Sequence, residues 1–383
     1  WPLLDGRNNY WRAATGPVMG QYAGDVLVSP WCANPECTEF GRFPVSMDGS
    51  LRAYASIEEM MPFANDGDVI RVNAPITVGN PVVFSKAVKL ACDPDVKLSV
   101  TTLAAGYSTA NFTMQAEGSS IEGCIIEKTD KTGIDGIIRI AASGVKILNN
   151  KISGQWQIGD EEVNRAMVVN VGAFSGLEIS GNRIHNLRQP GYVSGTHSGV
   201  INNNYVDQTK GWVLEGGNLS FSGNTWGTNV GDIAILKEMP TQYYTDILAM
   251  SAENNNAVIE DQRLNPRLMS RVYVDANAPE PGNGTLATPF QSLKAGVDKL
   301  IAGGELVAQP GVYAEAISIV RPGSFVCGPN RDVNPVEGGR PGGECTIQST
   351  YAVNISAADV TLNGFEITGF THAVSAQAAL VTT

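Results

Sequence analysis

A short phrase of alternating apolar residues and asparagine recurs four times between residues 145 and 226. Each copy has apolar residues two positions apart, a polar corner that ends in Asn, and another apolar residue two positions later. Alternation with a period of two is typical of a β-strand with one buried face, and Gly and Asn favour the positive φ of tight corners. The copies are residues 145–152, 177–184, 199–206 and 219–226.

The spacing of these copies favours stacked coils. They begin about 20 to 30 residues apart with no helical period between them, as expected for a parallel β-helix with one coil per repeat. Coils stack about 4.8 Å apart, so their corner residues form a column in which side-chain amides donate and accept hydrogen bonds. We therefore expect an Asn ladder rather than four unlinked turns. Its members are Asn150, Asn182, Asn204 and Asn224.

With this motif the chain resembles the right-handed parallel β-helix proteins of the pectate-lyase-like superfamily. The resemblance implies an all-β fold of right-handed parallel β-helix modules in tandem, each opened by a short amphipathic capping helix. It implies little about activity, because this fold hosts lyases, hydrolases, adhesins and surface-layer proteins.

Two stretches of the chain share the same order of features, which indicates a duplication. Residues 67–70 match residues 304–307, Cys92 matches Cys327, and residues 121–126 match residues 362–367, at nearly constant offsets. Each stretch follows a predicted short helix, near residues 57–64 and 290–302, that would cap an open end of the stack.

The duplication predicts three domains. Residues 46–265 form a β-helix module, and residues 270–383 form the first part of a second one. Residues 1–45 form the closing segment of a preceding module, because residues 9–31 repeat the order of features in residues 224–234. The two outer fragments are complementary, so we expect modules to continue head to tail, along one polypeptide or between copies.

Charge and hydropathy exclude two kinds of partner. The chain has 38 acidic and 26 basic residues and a net charge of −12 at pH 7, which argues against binding to nucleic acid phosphates. A run of about 18 apolar residues, as a membrane span requires, is missing from the sequence.

The six cysteines lack zinc-ligand spacing. They are either disulfides of an exported protein or buried thiols of a cytosolic one, and their positions beside loop residues favour disulfides. We expect the chain to lie outside the cell or at the cell surface. The equivalence of Cys92 and Cys327 predicts the pairs Cys32–Cys37, Cys92–Cys124 and Cys327–Cys345.

Two long insertions, residues 153–165 and 186–194, supply a candidate carbohydrate site. Aromatic rings stack on sugar faces, carboxylates accept hydrogen bonds from hydroxyls, and paired carboxylates are the machinery of glycosidases. An ordinary surface loop has the same composition, and that interpretation stays open. The candidate residues are Trp156, Asp160, Glu161, Glu162, Arg165, Arg188, Tyr192, Trp212 and Glu215.

A second group of polar residues lies beside the ladder. These residues could form the catalytic patch of a polysaccharide lyase, or they could simply be the polar outer face that a β-helix presents to water. They are Lys151, Arg183, His185, Tyr205 and Asp207. We assign no catalytic residue, metal ligand or cofactor. Calcium is the one ion considered, at Asp66 and Asp68 or at Asp275 and Asn277, but each pair offers far fewer oxygens than the six to eight that calcium takes.

The sequence thus favours a structural component of an extracellular or cell-surface assembly, such as a filament, sheath or surface layer. Its expected partners are copies of itself or adjacent modules. The alternative is a polysaccharide lyase, a glycosidase or a glycan-binding module that uses the loops on one face of the β-helix.

Overall fold

Strands of three stacked parallel sheets dominate the computed structural model, and this confirms the predicted all-β parallel β-helix. It describes residues 4–17, 26–103, 110–170, 172–264, 267–333 and 343–376. The chain divides into two units, Trp1–Tyr205 and Val206–Thr383. Four parts of the predicted end fragments, residues 1–3, 18–25, 334–342 and 377–383, lie outside the described residues.

The first unit begins with short strands and then forms the coils. Its strands are β1 (Leu4–Asp5), β2 (Val26–Leu27), β3 (Trp31–Cys32), β4 (Phe40–Gly41), β5 (Val45–Met47), β6 (Ala53–Tyr54), β7 (Val69–Val72), β8 (Ile76–Val78), β9 (Val82–Phe84), β10 (Lys89–Cys92), β11 (Lys97–Val100), β12 (Phe112–Met114), β13 (Ser120–Glu122), β14 (Ile125–Lys128), β15 (Ile138–Ile140), β16 (Lys146–Leu148), β17 (Lys151–Ser153), β18 (Arg165–Val169), β19 (Leu177–Ser180), β20 (Arg183–His185), β21 (Gln189–Val193) and β22 (Ser198–Asn202), followed by β23 (Tyr205–Asp207) at the boundary.

Each coil gives one strand to each of three parallel sheets. The first sheet pairs β7, β10, β13, β16, β19 and β22 in that order. The second pairs β8, β11, β14, β17 and β20, and the third pairs β9, β12, β15, β18 and β21. Alternate residues face inward, so Ile121, Ile147 and Ile179 lie in register on adjacent coils and are fully buried. The apolar positions of the period-two pattern in the sequence are therefore the positions that face inward.

The predicted capping helix is present but short. Helix α1 (Ile57–Met60) begins at Ser56, whose hydroxyl accepts from the N–H of Glu59, and continues as a 3₁₀ turn, Met61–Phe63. Pro62 lacks the N–H that a longer α-helix needs, so the helix changes type at this point. Together with the antiparallel pair β5 and β6, this segment packs on β7 and β9 and covers the first coil.

The second unit repeats this architecture with two further helices. Its elements are β24 (Trp212–Leu214), β25 (Asn218–Ser222), β26 (Thr225–Trp226), β27 (Ile233–Ile235), α2 (Ile247–Glu253), β28 (Ile259–Asp261), β29 (Leu268–Val274), α3 (Leu293–Lys299), β30 (Leu300–Ala308), β31 (Gly311–Tyr313), β32 (Ile317–Ile319), β33 (Gly323–Cys327), a 3₁₀ turn (Gly328–Asn330), β34 (Cys345–Gln348), β35 (Tyr351–Ile355), β36 (Val360–Asn363), β37 (Phe365–Thr368) and β38 (His372–Ala376).

In this unit β24, β27 and β28 pair in parallel, and β29 runs antiparallel to β28. A second stack then follows, with β29, β30, β33 and β36 in one sheet, β31, β34 and β37 in another, and β32, β35 and β38 in the third. Helix α3 packs on β29, β30 and β32, as expected for the second capping helix. The predicted module boundary at residues 265–270 includes two residues outside the described ranges and stays a prediction.

The three predicted disulfides are formed: Cys32–Cys37, Cys92–Cys124 and Cys327–Cys345. Cys92 and Cys327 each end the fourth strand after a capping helix, which is the equivalence that the duplication predicts. Within the described ranges, no helix has the length and apolar character needed to cross a membrane.

Candidate functional site

The Asn ladder of the first unit is an unbroken chain of hydrogen bonds. The Oδ1 atom of Asn182 accepts from the backbone N–H of Asn150 at 2.9 Å and from its Nδ2 at 3.1 Å. Asn204 does the same for Asn182, at 2.9 and 3.0 Å. The remaining amide hydrogens reach backbone carbonyls, such as the 2.7 Å bond from Asn182 Nδ2 to Ile147 O. All three side chains are buried, so the ladder satisfies interior polar groups and is no binding surface.

The second unit holds its own ladder pair. Asn224 donates through Nδ2 to Oδ1 of Asn254 at 2.6 Å, and Asn254 donates to the carbonyls of Phe221 and Met250. Asn254, which is not among the candidates from the sequence, follows helix α2 directly. The feature of the sequence that could have identified Asn254 is the Asn-Asn-Asn run at residues 254–256.

The two tryptophans of the predicted carbohydrate site are buried. Trp156 is 2% exposed, and its Nε1–H donates to the carbonyl of Asp160 at 3.0 Å, so the ring closes its own loop. Trp212 is 0% exposed in the interior of the second unit, edge-on to Phe221. Neither ring offers a face to a sugar, which corrects the expectation that they form a stacking surface. Both are large apolar side chains, and burial is their most favourable position.

Arg165 and Tyr192 belong to a compact polar network on β18 and β21. Nη1 of Arg165 contacts Oδ1 of buried Asp135 at 2.7 Å, and its Nε contacts Oε1 of Gln189 at 2.5 Å. The guanidinium lies over the ring of Tyr192 at 4.8 Å. Arg139 binds the other oxygen of Asp135 at 2.9 Å. These contacts stabilise the surface of the sheet. They also occupy the polar groups with which a sugar would form hydrogen bonds.

The other loop candidates divide into anchored and exposed side chains. Oδ2 of Asp160 accepts from the N–H of Gln157 at 3.0 Å, and Nη1 of Arg188 donates to the carbonyl of Glu161 at 2.9 Å. The carboxylates of Glu161 and Glu162 are exposed. Glu215 is half-buried in the second unit. A carbohydrate role for these residues stays a prediction.

The polar residues beside the ladder form contacts of their own. Lys151 and Arg183 are register partners on β17 and β20, and the Arg183 guanidinium lies 4.9 Å over the ring of Tyr205. In the second unit, Oδ1 of Asp207 accepts from the N–H of Thr228 at 2.8 Å. A cation–π pair of this kind stabilises an exposed strand surface.

The acidic residues considered for calcium cap turns instead. Oδ1 of Asp66 accepts from the N–H of Ala87 at 2.8 Å, and Oδ2 of Asp68 accepts from the N–H of Asn65 at 2.7 Å. Asp275 accepts from the N–H of Asn277 at 2.9 Å. In the part of the chain that the structure describes, no group of three or more His, Cys, Asp or Glu side chains is placed to hold a metal ion.

A cavity of about 280 Å³ lies in the second unit, and none of its lining residues is among the candidates from the sequence. Its lining residues come from β26, the loop that follows it, the turn after α2, β29 and a turn near residue 285. They are Thr225, Trp226, Gly227, Asn229, Gly231, Asp232, Asn255, Asn256, Val258, Arg271, Tyr273, Thr285 and Leu286. Burial raises the pKa of the Asp232 carboxyl to about 6 and also raises the pKa of Tyr273. A cavity that combines an aromatic ring, amides and such a carboxyl is a candidate ligand site.

The coil formed by β36, β37 and β38 has a partly uncovered apolar face. Phe325, Ile347 and Val353 on the preceding coil are 2%, 0% and 2% exposed. Their register partners are Leu362 and Ile367, which are half-buried, and Val374, which is 47% exposed. The same inward positions are therefore buried in one coil and accessible in the next.

Three disulfides are typical of a protein outside the reducing cytoplasm. No protein-family model, curated protein or solved structure matches this chain.

Proposed function

We propose that this chain is a structural component of an extracellular or cell-surface assembly, in which β-helix coils of adjacent modules stack end to end. The observation that carries the proposal is the accessible inward row of the β36–β38 coil, whose register partners one coil earlier are fully buried.

The chemistry of this face favours another β-coil as its occupant. In the described part of the chain β36, β37 and β38 are each the last strand of a sheet, so their outer edges present backbone N–H and C=O groups that an extended strand in parallel register satisfies. Leu362, Ile367 and Val374 add an apolar row between those edges. A β-coil supplies both features at the same spacing, whereas a helix supplies only the apolar row.

The N-terminal copy of the closing phrase supports the same arrangement. In residues 224–234 the phrase leads into β27, which has β24 and β28 as parallel neighbours. In residues 9–31 it leads into β2, which pairs with the two-residue β1 in the described part of the chain. A neighbouring module would give these N-terminal strands the coil that their sequence pattern fits.

The location and the family are parts of this proposal. The disulfides support an exported protein, and the stacked parallel sheets with buried Asn corners support kinship with the right-handed pectate-lyase-like β-helices. That group includes adhesins and surface-layer proteins as well as enzymes, so the fold is compatible with a structural role.

Light scattering coupled to size-exclusion chromatography tests the proposal on the 383-residue chain across a range of concentrations. We expect concentration-dependent association. The variant Val374→Lys should weaken it by about tenfold or more, because a lysine in the apolar row must be desolvated when a coil covers it.

Val83→Lys is the matched control. Val83 is 39% exposed at the outward position of β9, so the same substitution adds the same charge without touching the end face. A monodisperse monomer at every concentration, or equal loss of association in both lysine variants, would contradict the proposal.

A further inference from the structure

The cavity of the second unit has rigid walls. Nε1–H of Trp226 donates to the carbonyl of Asn254 at 2.7 Å, which fixes the orientation of the ring. The Asp232 carboxylate accepts from Nδ2 of Asn229 at 3.0 Å and from the N–H of Val258 at 2.7 Å. Arg271 donates to the carbonyl of Asn256 at 3.3 Å and contacts Glu305 at 2.5 Å. Groups held in this way present a defined surface before any ligand arrives, which lowers the cost of binding.

The lining excludes several classes of ligand. Asp232 is the single carboxylate in the wall, so a metal ion would lack ligands. An anion would meet Asp232 and would find the charge of Arg271 already compensated by Glu305. A purely apolar molecule would leave the amide, hydroxyl and carboxyl groups of the wall without partners.

The remaining chemistry is that of a neutral ring rich in hydroxyls. Trp226 is partly exposed and provides an apolar face, against which the C–H groups of a sugar ring pack. Asp232 has acceptor capacity beyond its two protein donors, and the side chain of Asn256 supplies both a donor and an acceptor. A volume of about 280 Å³ is small for a binding pocket and suits one ring rather than a chain.

We propose that this cavity binds one neutral pyranose ring of a glycan, stacked on Trp226 and hydrogen-bonded through its hydroxyls to Asp232 and Asn256. The site shares no residue with the loop at 153–165 or with the β36–β38 face. Its test does not depend on the proposed structural role.

Ligand-observed saturation-transfer NMR on the full chain tests the site. The probes are D-glucose, D-galactose and N-acetyl-D-glucosamine, each measured alone, with D-glucuronate as the anionic comparison. We expect transfer to at least one neutral sugar and weaker or no transfer to glucuronate.

Two glycine variants separate cavity filling from general damage. A Cβ at Gly231 meets nothing within 4 Å, so Gly231→Leu fills the cavity without a backbone clash and should weaken binding by about tenfold or more. A Cβ at Gly79, in a turn of the first unit, also meets nothing within 4 Å, and Gly79→Leu should leave binding unchanged.

Trp226→Ala and Trp226→Phe give a second, independent comparison. Alanine removes the stacking face and should abolish transfer, whereas phenylalanine keeps a ring and should retain most of it. The inference is overturned by the absence of transfer to every neutral sugar, by transfer to glucuronate alone, or by equal binding in the two leucine variants.

Discussion

Each buried Asn of the ladder serves two coils at once. Its Oδ1 accepts from the neighbouring corner, and its Nδ2 donates both to the next Asn and to a backbone carbonyl, as Asn182 shows with Asn150, Asn204 and Ile147. Alanine has neither group, and Asp lacks the donor. The side chain therefore satisfies corner N–H groups that the parallel ladders leave unpaired.

Asn182→Ala should lower the free energy of unfolding by about 1–3 kcal/mol, because it leaves the backbone N–H and Nδ2 of Asn150 without their acceptor in a buried position. Chemical denaturation followed by circular dichroism measures the change. Asn203→Gly is the control, since Asn203 is exposed and has φ 55°, which Gly adopts freely. Equal shifts in the two variants would contradict a stabilising ladder.

Asp232 should make stability depend on pH. Its folded-state pKa of about 6 lies above the ordinary value of 3.8, so the folded state holds the proton more tightly. The stabilisation is complete below about pH 4 and is lost as the pH rises through about 6. Arg271 and Tyr273 face the same cavity, and Arg271 opposes the effect of burial on this pKa.

Asp232→Asn should remove this dependence. We expect wild type to gain about 1–2 kcal/mol relative to the Asn variant when the pH is lowered from 8 to 5, as the linkage relation gives for such a pair of pKa values. Parallel denaturation curves for the two proteins at both pH values measure the difference. A constant difference between them would show that Asp232 does not titrate with a raised pKa.

At the scale of elements, the strands and corners were predictable because their pattern is local. Val145 and Ile147 alternate as a strand with one buried face requires, Ile152 follows the corner in the next strand, and the structure buries all three. The disulfides were predictable because the duplication places Cys92 and Cys327 at equivalent positions. A repeat constrains its own fold, since each coil must match its neighbour.

Features that depend on long-range packing were not predictable in this way. Helix α2 lies in a stretch that shows no strand period. The apolar residues after its N-cap Asp246 make sense only because the helix packs on β25. The burial of Trp156 was not predictable, because loop composition does not show whether a ring folds back on its own segment. The cavity walls span residues 225–286, and no local motif joins them.

At the scale of the whole molecule, net charge and the apolar end face act in opposite directions. The chain carries a charge of −12 at pH 7, so two copies that approach each other repel. The accessible row at Leu362, Ile367 and Val374 attracts a second coil by burial of apolar area, a contribution that does not depend on charge. Salt screens the repulsion and leaves the apolar contact intact.

End-to-end association should therefore strengthen with ionic strength. Raising NaCl from about 20 mM to 200 mM shortens the screening length from roughly 20 Å to less than 10 Å, and we expect the association constant to rise severalfold. Sedimentation velocity at matched protein concentrations measures the change, and Val374→Lys should remain weakly associated at both salt concentrations. Association that weakens with salt would instead indicate contact between oppositely charged patches, because screening reduces attraction between charges as it reduces repulsion. That result would move the interface away from the apolar β36–β38 face.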